Sequence, residues 1–293
     1  MSSQSHMWFR RICALAGVFI LGGMLAFPKD KTITKDRIEL TNEYGKFVLQ
    51  NLALTQDRDS VSFSGTITNS TDRNWGVVYL TLQFLDKSGA PIPPEPGVDN
   101  TIRIFRLQRG ATEPISRTIP WMIIFRAFRS PTGRIADFSV ACGGYVFTLA
   151  RPRESEELAF EDKLIRIAFA VVESQIQFSL QNITDSPIEI GWDQSAFIDF
   201  SGESHKVIHS GIKWIDREKP QAPTTVPPTA RISDIIYPAD YAEWSGSDWL
   251  HKPVLPRAEL SYKGQTFSVF MPLKINGEVK NYLFTIKVAD VLI

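Results

Sequence analysis

The sequence predicts an all-β chain: two tandem β-sandwich domains behind an N-terminal hydrophobic helix. Three observations carry that reading. Val61, Phe63, Gly65 and Ile67 alternate with Ser62, Ser64, Thr66 and Thr68, and a period of two places the first set on a buried face and the second in water. After the polar turn Asn69 to Asn74, Val78, Leu80, Leu82 and Phe84 again share one face. The two runs are therefore expected to pair as an antiparallel hairpin, which needs a second sheet to cover it. The pattern then returns. Ile176, Phe178 and Leu180 alternate with Gln175, Gln177, Ser179 and Gln181; Asn182-Ile183-Thr184-Asp185 repeats Asn69-Ser70-Thr71-Asp72; Ile188, Ile190 and Trp192 follow. Duplication of one β-unit accounts for the recurrence, and Asn and Asp suit its corner because their short side chains bond to nearby backbone.

The 293 residues are 43% hydrophobic and 22% charged, which provides for two proper cores and differs from a disordered chain. Lys plus Arg (32) equals Asp plus Glu (32), so charge singles out no partner, and no nucleic acid is expected. Cys13 lies in the apolar N-terminal segment and Cys142 far along the chain. No internal disulfide framework is expected, and folding rests on apolar burial.

Residues 1–28 read as a signal peptide or signal anchor. Arg10 and Arg11 precede an uncharged run from Ile12 to Phe27, closed by Pro28 and Lys29. As a helix that run spans about 24 Å, short of the ~30 Å hydrocarbon core, which suits a signal-peptide core or a short anchor. Cleavage after Ala26 would put Met24 where a small residue is preferred, which favours an uncleaved anchor with the arginines cytoplasmic and the body exported. The expected location is the cell membrane, single-pass with an extracytoplasmic body, or a secreted or periplasmic one if the leader is cleaved.

Residues 29–45 read as a charged tether that becomes ordered near Tyr44, and 46–150 as the first β-sandwich domain. Strands are expected at Phe47 to Leu54, in the run around Phe63, at Ile102 to Leu107, Ala111 to Ile119 and Ile135 to Leu149, with Gly143-Gly144 marking a bulge or tight bend. Pro91 to Pro96 form a proline-rich connection, and Trp121 to Phe128 a short helix or a loop capping the sandwich. Residues 151–162 read as a charged link, and 163–293 as the second domain with long Pro- and Trp-rich loops. There, strands are expected at Leu164 to Val172, around Phe178, at Ala196 to Phe200 and at His205 to Ile208, followed by an extended crossing from Lys219 to Thr229. The chain closes on a hairpin. Phe267, Val269, Met271, Leu273 and Ile275 share one face, Asn276-Gly277 supplies the positive dihedrals of a two-residue turn, and Tyr282, Phe284, Ile286 and Val288 return.

The strand Ser62 to Thr68, the turn Asn69 to Asp72, and Tyr79 to Asp86 followed by Lys87-Ser88-Gly89 resemble FxLYD, an immunoglobulin-like module of bacterial and archaeal envelope proteins. The resemblance covers Phe47 to Leu149; of the eponymous motif, Leu82-Gln83-Phe84-Leu85-Asp86 keeps the final Asp. It implies an exported, non-enzymatic sandwich and brings no catalytic residues. The second domain is similar to immunoglobulin-like folds in general, so the fold class reads as two tandem immunoglobulin-like sandwiches.

Three constellations bear on chemistry. From Tyr237 to His251, the rings of Tyr237, Tyr241, Trp244 and Trp249 are interleaved with Asp240, Glu243 and Asp248 on a segment too rich in Pro, Gly and Ser to form a regular strand. Rings that stack on apolar faces beside carboxylates that accept hydrogen bonds would recognise sugar or peptide; alternatively the rings plug the end of the sandwich. The candidate ligand-binding residues are Tyr237, Tyr241, Trp244, Trp249 and Asp248. From Arg103 to Arg153 there are nine arginines and no lysine against Glu113 and Asp137. Guanidinium forks suit phosphate and carboxylate, which makes Arg103, Arg106, Arg109, Arg126 and Arg129 candidates for contact with an anionic envelope surface or acidic partner; outward strand positions balanced by acids elsewhere are the plainer reading.

The third constellation is His205 and His209, four apart on a strand and so on one face, within conceivable reach of Asp199 or Asp193. With no third histidine at ligand spacing, ordinary surface or half-buried histidines are expected, and neither metal nor cofactor. The chain has no nucleophile elbow, HExxH or Gly-rich phosphate loop. The expected function is a non-catalytic extracytoplasmic binding or scaffolding protein of the cell envelope, contacting an envelope protein partner, with the membrane reached through the N-terminal segment. The alternatives are a carbohydrate-binding module that takes a glycan on the aromatic loop, and a hydrolase whose site is invisible in sequence.

Overall fold

The computed structural model describes residues 31–57, 60–92, 99–120 and 135–293. The expected leader helix, the capping segment Trp121 to Phe128, and most of the proline-rich connection lie outside them. Among the described residues the fold is all-β: strands joined by turns, with four 3-10 helices of three residues each. No helix of the described residues is long and apolar enough to cross a membrane.

The first half of the chain forms β1 (Lys31–Asn42), β2 (Gly45–Gln56), β3 (Ser60–Thr71), β4 (Trp75–Leu85), β5 (Pro91–Ile92), β6 (Thr101–Leu107), β7 (Thr112–Pro120) and β8 (Asp137–Arg151). The second forms β9 (Ala159–Glu161), β10 (Ile165–Val171), β11 (Ile176–Asn182), β12 (Ile188–Ile190), β13 (Ala196–Ile198), β14 (Ser204–Ile208), β15 (Thr224–Val226), β16 (Arg231–Pro238), β17 (Ala242–Trp244), β18 (Trp249–His251), β19 (Thr266–Ile275) and β20 (Glu278–Leu292). One antiparallel sheet has the order β1-β2-β3-β7. A larger curled sheet runs β5-β4-β8-β20-β19-β13-β14-β16-β11-β10-β9, with β6 on β4 and β12 joining β19 to β15.

The expected hairpin around Asn69 does not form. β3 pairs with β2 and β7, whereas β4 pairs with β5, β6 and β8; the corner crosses between opposing sheets. The turn at Asn182 likewise joins strands with different partners, β11 pairing with β10 and β16 while β12 pairs with β15 and β19, here within the one curled sheet. The reason is one fully buried side chain at each corner. Asn69 Nδ2 donates to the carbonyls of Arg73 (2.9 Å) and Leu107 (3.1 Å), and its Oδ1 accepts from the Thr71 amide (3.0 Å) and hydroxyl (2.7 Å). Asn182 Nδ2 donates to Ser186, Val226 and Pro227 carbonyls at 2.8, 3.0 and 3.1 Å, and its Oδ1 accepts from the Thr184 amide (2.9 Å) and hydroxyl (2.8 Å). Even the backbone repeats: the Asn69 amide donates to Ala111 and the Asn182 amide to Ala230, each at 2.9 Å. Buried carbonyls at a chain reversal need donors, and the asparagine supplies them.

Two hydrophobic clusters result. One gathers Phe47, Phe63, Trp75, Leu80, Phe84, Ile115 and Phe138; the other gathers Phe169, Phe178, Trp192, Phe197, Phe267 and Phe284. The strand between them serves both. Along β8, Phe138, Val140 and Val146 belong to the first cluster, and Tyr145, Phe147 and Leu149, of opposite parity, to the second. Around Tyr145, Val146 and Phe147, β8 therefore buries side chains on both faces, like a strand covered on both sides. Next to it, β20 gives Phe284, Ile286 and Val288 to the second cluster, and a register shift at 289 turns Ala289 and Leu292 toward the first.

Several expected boundaries move. The tether is a strand: β1 pairs with β2 from Lys31↔Gln56 to Asn42↔Gly45. Its apolar residues Ile33, Ile38 and Leu40 pack on the first cluster, while Arg37 and Lys46 flank Glu39 outside. The expected bulge at Gly143-Gly144 is absent from the β4 side, where register runs unbroken from Val77↔Tyr145 to Leu85↔Asp137. Gly144 is needed for close approach, because a Cβ there would meet the Val77 carbonyl oxygen at 2.4 Å. Irregularities lie elsewhere, in β2 between Gln50 and Ala53 opposite Gly65, with Asn51 at φ 53°, and between β8 and β20 at Ala150 and Ala289. The charged stretch 151–162 contains β9 and the buried Leu158, and the Lys219 to Thr229 crossing contains β15, paired with β12. The closing hairpin forms as expected, Ile275 facing Glu278 across Asn276 (φ 51°) and Gly277 (φ 85°).

Asn69→Ala or Asn182→Ala strips one buried carbonyl, of Leu107 or Val226, and at least one part-buried carbonyl of their donor, at about 1–3 kcal/mol for a buried group left bare. Each variant should therefore lower the urea midpoint by the equivalent of roughly 3 kcal/mol, and Asn→Asp should not rescue it, since a carboxylate cannot donate. Asp162 offers a test in pH. Its Oδ2 accepts from Lys280 Nζ and the Tyr282 hydroxyl, both at 2.8 Å, and its Oδ1 from the Leu164 and Ile165 amides. Burial pushes its pKa up, but these donors outweigh burial and hold it below the ordinary value. A depressed carboxyl adds stability above its unfolded pKa of about 4 that is lost as pH falls through the folded value. Urea unfolding of Asp162→Asn at stepped pH should accordingly show a shallower acid loss than wild type, with the two curves converging at the lowest pH.

Candidate functional site

The pairing register of three neighbouring strands builds a concave face. Arg166 of β10, Gln181 of β11 and Arg231 of β16 lie in one row, and Ala168, Ser179 and Ser233 in the next. Small side chains form the floor and long ones the rim. Gln181 Oε1 accepts from Arg166 (3.4 Å) and Arg231 (3.3 Å), which aligns the two guanidiniums. The groove so formed, about 480 Å³, is closed by Arg106 of β6. A second groove of similar volume adjoins it, sharing Arg106, Ala170 and Gln177 and adding Arg103, Phe105 and Glu173.

Arg106 sits at φ 59°, in the left-handed region, which costs a residue with a Cβ roughly 1–2 kcal/mol. The strand's alternation breaks there, leaving Phe105 and Arg106 both exposed. Three arginines and one carboxylate, Asp234, line the first groove; the Arg166 fork is taken up by Glu161, Nε to Oε2 at 2.7 Å and Nη2 to Oε1 at 3.0 Å, and among the described residues Arg106 and Arg231 have no carboxylate partner. Asp234 is already engaged, by the Ser210 and Ile235 amides at 2.8 Å and His209 Nδ1 at 3.2 Å.

The candidate arginines separate. Arg103 is held by Asp99 (2.6 Å) and Glu173, so its charge clamps β6 to the turn before β11. Arg106 faces both grooves. Arg109 lies in the exposed β6–β7 turn, outside either lining. Arg126 and Arg129 lie outside the described residues. Arg166 and Arg231 were not among the candidates, because the sequence places them on unrelated strands; only the register through Gln181 joins them.

The aromatic segment separates as well. It contains regular strand after all, β17 pairing with β18 from Ala242↔His251 to Trp244↔Trp249. Tyr237 and Tyr241 are buried in the second cluster, the Tyr237 hydroxyl lying 3.0 and 3.2 Å from the Tyr241 and Lys252 carbonyl oxygens. Burial pushes both phenols up to about 12. Trp244 and Trp249 occupy the hairpin tip, 5.5 Å apart and inclined at 59°. Trp244 is 52% exposed, and Trp249 lies under the Arg217 guanidinium, 5.1 Å from its ring. Asp248 shapes the turn, its amide accepted by Ser245 Oγ and its carboxylate capping the Trp249 amide. The rings form no single coplanar platform.

His205 and His209 also part company. His209 stacks on Trp192, 4.3 Å between centroids at 6°, beside Asp234. His205, 6% exposed, lies between Asp240 and Asp199. Cys142 carries a free thiol whose pKa burial pushes up to about 12.

No protein-family model and no curated protein matches the chain.

The two halves of the aromatic segment should respond differently to truncation. Tyr237→Ala empties a core position and removes a buried hydroxyl, a loss of about 3–5 kcal/mol by the scale of aromatic truncations. Trp244→Ala should leave the thermal midpoint nearly unchanged, as read by melting under identical buffer.

Proposed function

We propose that this chain is a non-catalytic, exported binding protein that receives an acidic segment of a protein partner in the arginine-rimmed groove. The observation that carries the reading is the placement of Arg106 and Arg231, beside the Glu161-paired Arg166, over a floor of Ala168, Ser179 and Ser233. Guanidinium forks hold carboxylates in two-point geometry. The amide of Gln177 and the hydroxyls of Ser179 and Ser233 add donors and acceptors for a peptide backbone. The strained backbone at Arg106 adds weight, since such residues persist where the surrounding structure over-determines them.

Export follows from the twin arginines and the apolar run Ile12 to Phe27. An architecture of two tandem immunoglobulin-like units is supported by the matching order of pairings around the Asn69 and Asn182 corners, and by the likeness of the first unit to FxLYD envelope modules. Such sandwiches present binding surfaces on rigid strands.

A fluorescent poly-glutamate peptide titrated onto the full chain in detergent provides the test. Binding should weaken with added salt and fall about tenfold or more in Arg106→Glu or Arg231→Glu, each of which removes a charged hydrogen-bond donor worth about 1.5–3 kcal/mol. Arg109→Glu, outside the groove, should bind as wild type does. An equal loss in Arg109→Glu, or preference for anionic vesicles over the peptide, would overturn the reading.

A further inference from the structure

The hairpin joining β13 to β14 places three potential metal ligands together. Asp199, Glu203 and His205 each present a ligand atom within 4.8 Å of the others'. The loop is held for this by one carboxylate oxygen: Asp199 Oδ1 accepts from the Ser201 amide (2.8 Å), the Ser201 hydroxyl (2.7 Å) and the Glu203 amide (3.0 Å). Gly202, at φ 87°, completes the reversal. With Oδ1 so occupied, Oδ2 is left facing His205.

His205 is the second observation. Its Nδ1 lies 2.7 Å from Asp240 Oδ2, a contact in which the ring nitrogen carries the proton and the carboxylate accepts it. In the neutral ring this contact leaves Nε2 with a lone pair. Nε2 is buried, has no hydrogen-bond partner, and stands 3.5 Å from Asp199 Oδ2. A lone pair on Nε2 and one on Asp199 Oδ2 then face each other, a contact that is favourable only with a proton on Nε2 or a metal ion between them.

The distance fits a metal. Two ligand atoms that each sit about 2.1 Å from a tetrahedral zinc stand roughly 3.4 Å apart. An imidazole with two carboxylates is a donor set for zinc and neighbouring first-row divalent ions. An imidazole whose remote nitrogen donates to a carboxylate is the usual second sphere of such sites, with Asp240 in that role here. The exposed Glu203 provides the way in and can close over the ion.

We propose that Asp199, Glu203 and His205 bind one divalent transition-metal ion of the zinc class, with Asp240 orienting the imidazole. The ion would pin the β13–β14 turn, and so act on the stability of the second cluster, whose Phe197 and Val207 are carried on these strands. It lies apart from the arginine groove, since none of its ligands is in that lining.

The full chain, purified in detergent and stripped with chelator, should bind one equivalent of zinc chloride by calorimetry and melt at a higher temperature when loaded. Glu203→Gln, at an exposed position, should leave the metal-free melting point unchanged and weaken zinc at least tenfold. Asp240→Asn should weaken it by about 10–100-fold, the cost of losing a histidine's carboxylate partner. His205→Gln should abolish binding; should that variant not fold, Glu203→Gln carries the test alone. Failure of the wild-type chain to bind zinc, or Glu203→Gln binding as tightly as wild type, overturns the proposal.

Discussion

A buried asparagine with every polar atom engaged governs this architecture. Where β3 and β11 end, the chain crosses from one set of paired strands to another, and beside each crossing one backbone carbonyl, of Leu107 or of Val226, is buried. Asn69 and Asn182 resolve this by donating to carbonyls on both sides of the crossing. Their own carbonyl oxygens are occupied by the threonine two residues on. Such a network is worth having only when complete, because in a low-dielectric interior a half-satisfied one costs more than an apolar substitute. That all-or-nothing character gives a physical reason for the Asn-x-Thr-Asp corner to occur twice in the same form.

The second constraint is the sheet common to both clusters. A strand with water on one face tolerates a polar residue at every other position; β8 loses that freedom just after Gly144, where Tyr145, Val146 and Phe147 are buried in succession, and regains it at Thr148. The last strand of the chain then fits between β8 and β19, so the final residues seal a seam that the first half opens. Long-range pairing of this kind forms late and slowly, since closure entropy must be met before the contacts repay it. The Asp162–Lys280–Tyr282 cluster ties the start of β20 to the turn between β9 and β10.

Much of the strand content was legible because alternation is local: Phe63 and Phe178 announce their buried faces within a few residues on either side. The partnership of strands was not. The Asn69 turn reads as a hairpin because its flanking runs are in phase, and phase alone cannot distinguish strands side by side in one sheet from strands facing each other across a core. β1 was obscured because its apolar residues change parity between Ile33 and Ile38, matching the bulge at Asn51 in the strand beside it. The groove shows the limit most sharply. Arg106 stood out by composition, whereas Arg166 and Arg231 became its companions only through register with Gln181.

Those two kinds of legibility bear on how recognition is built here. Arg103, the most conspicuous arginine of the basic stretch, is spent on Asp99 and Glu173 and holds β6 against the second half. That clamp keeps Arg106 at a fixed distance from Arg166 and Arg231, which stand on other strands. A guanidinium pays less entropy on binding when its backbone is already immobile, so the buried-edge ion pair and the strained φ at Arg106 act in the same direction. Charge that looks redundant in the sequence thus has two separate duties. One arginine fixes the frame, and its neighbour, three residues on, faces the grooves.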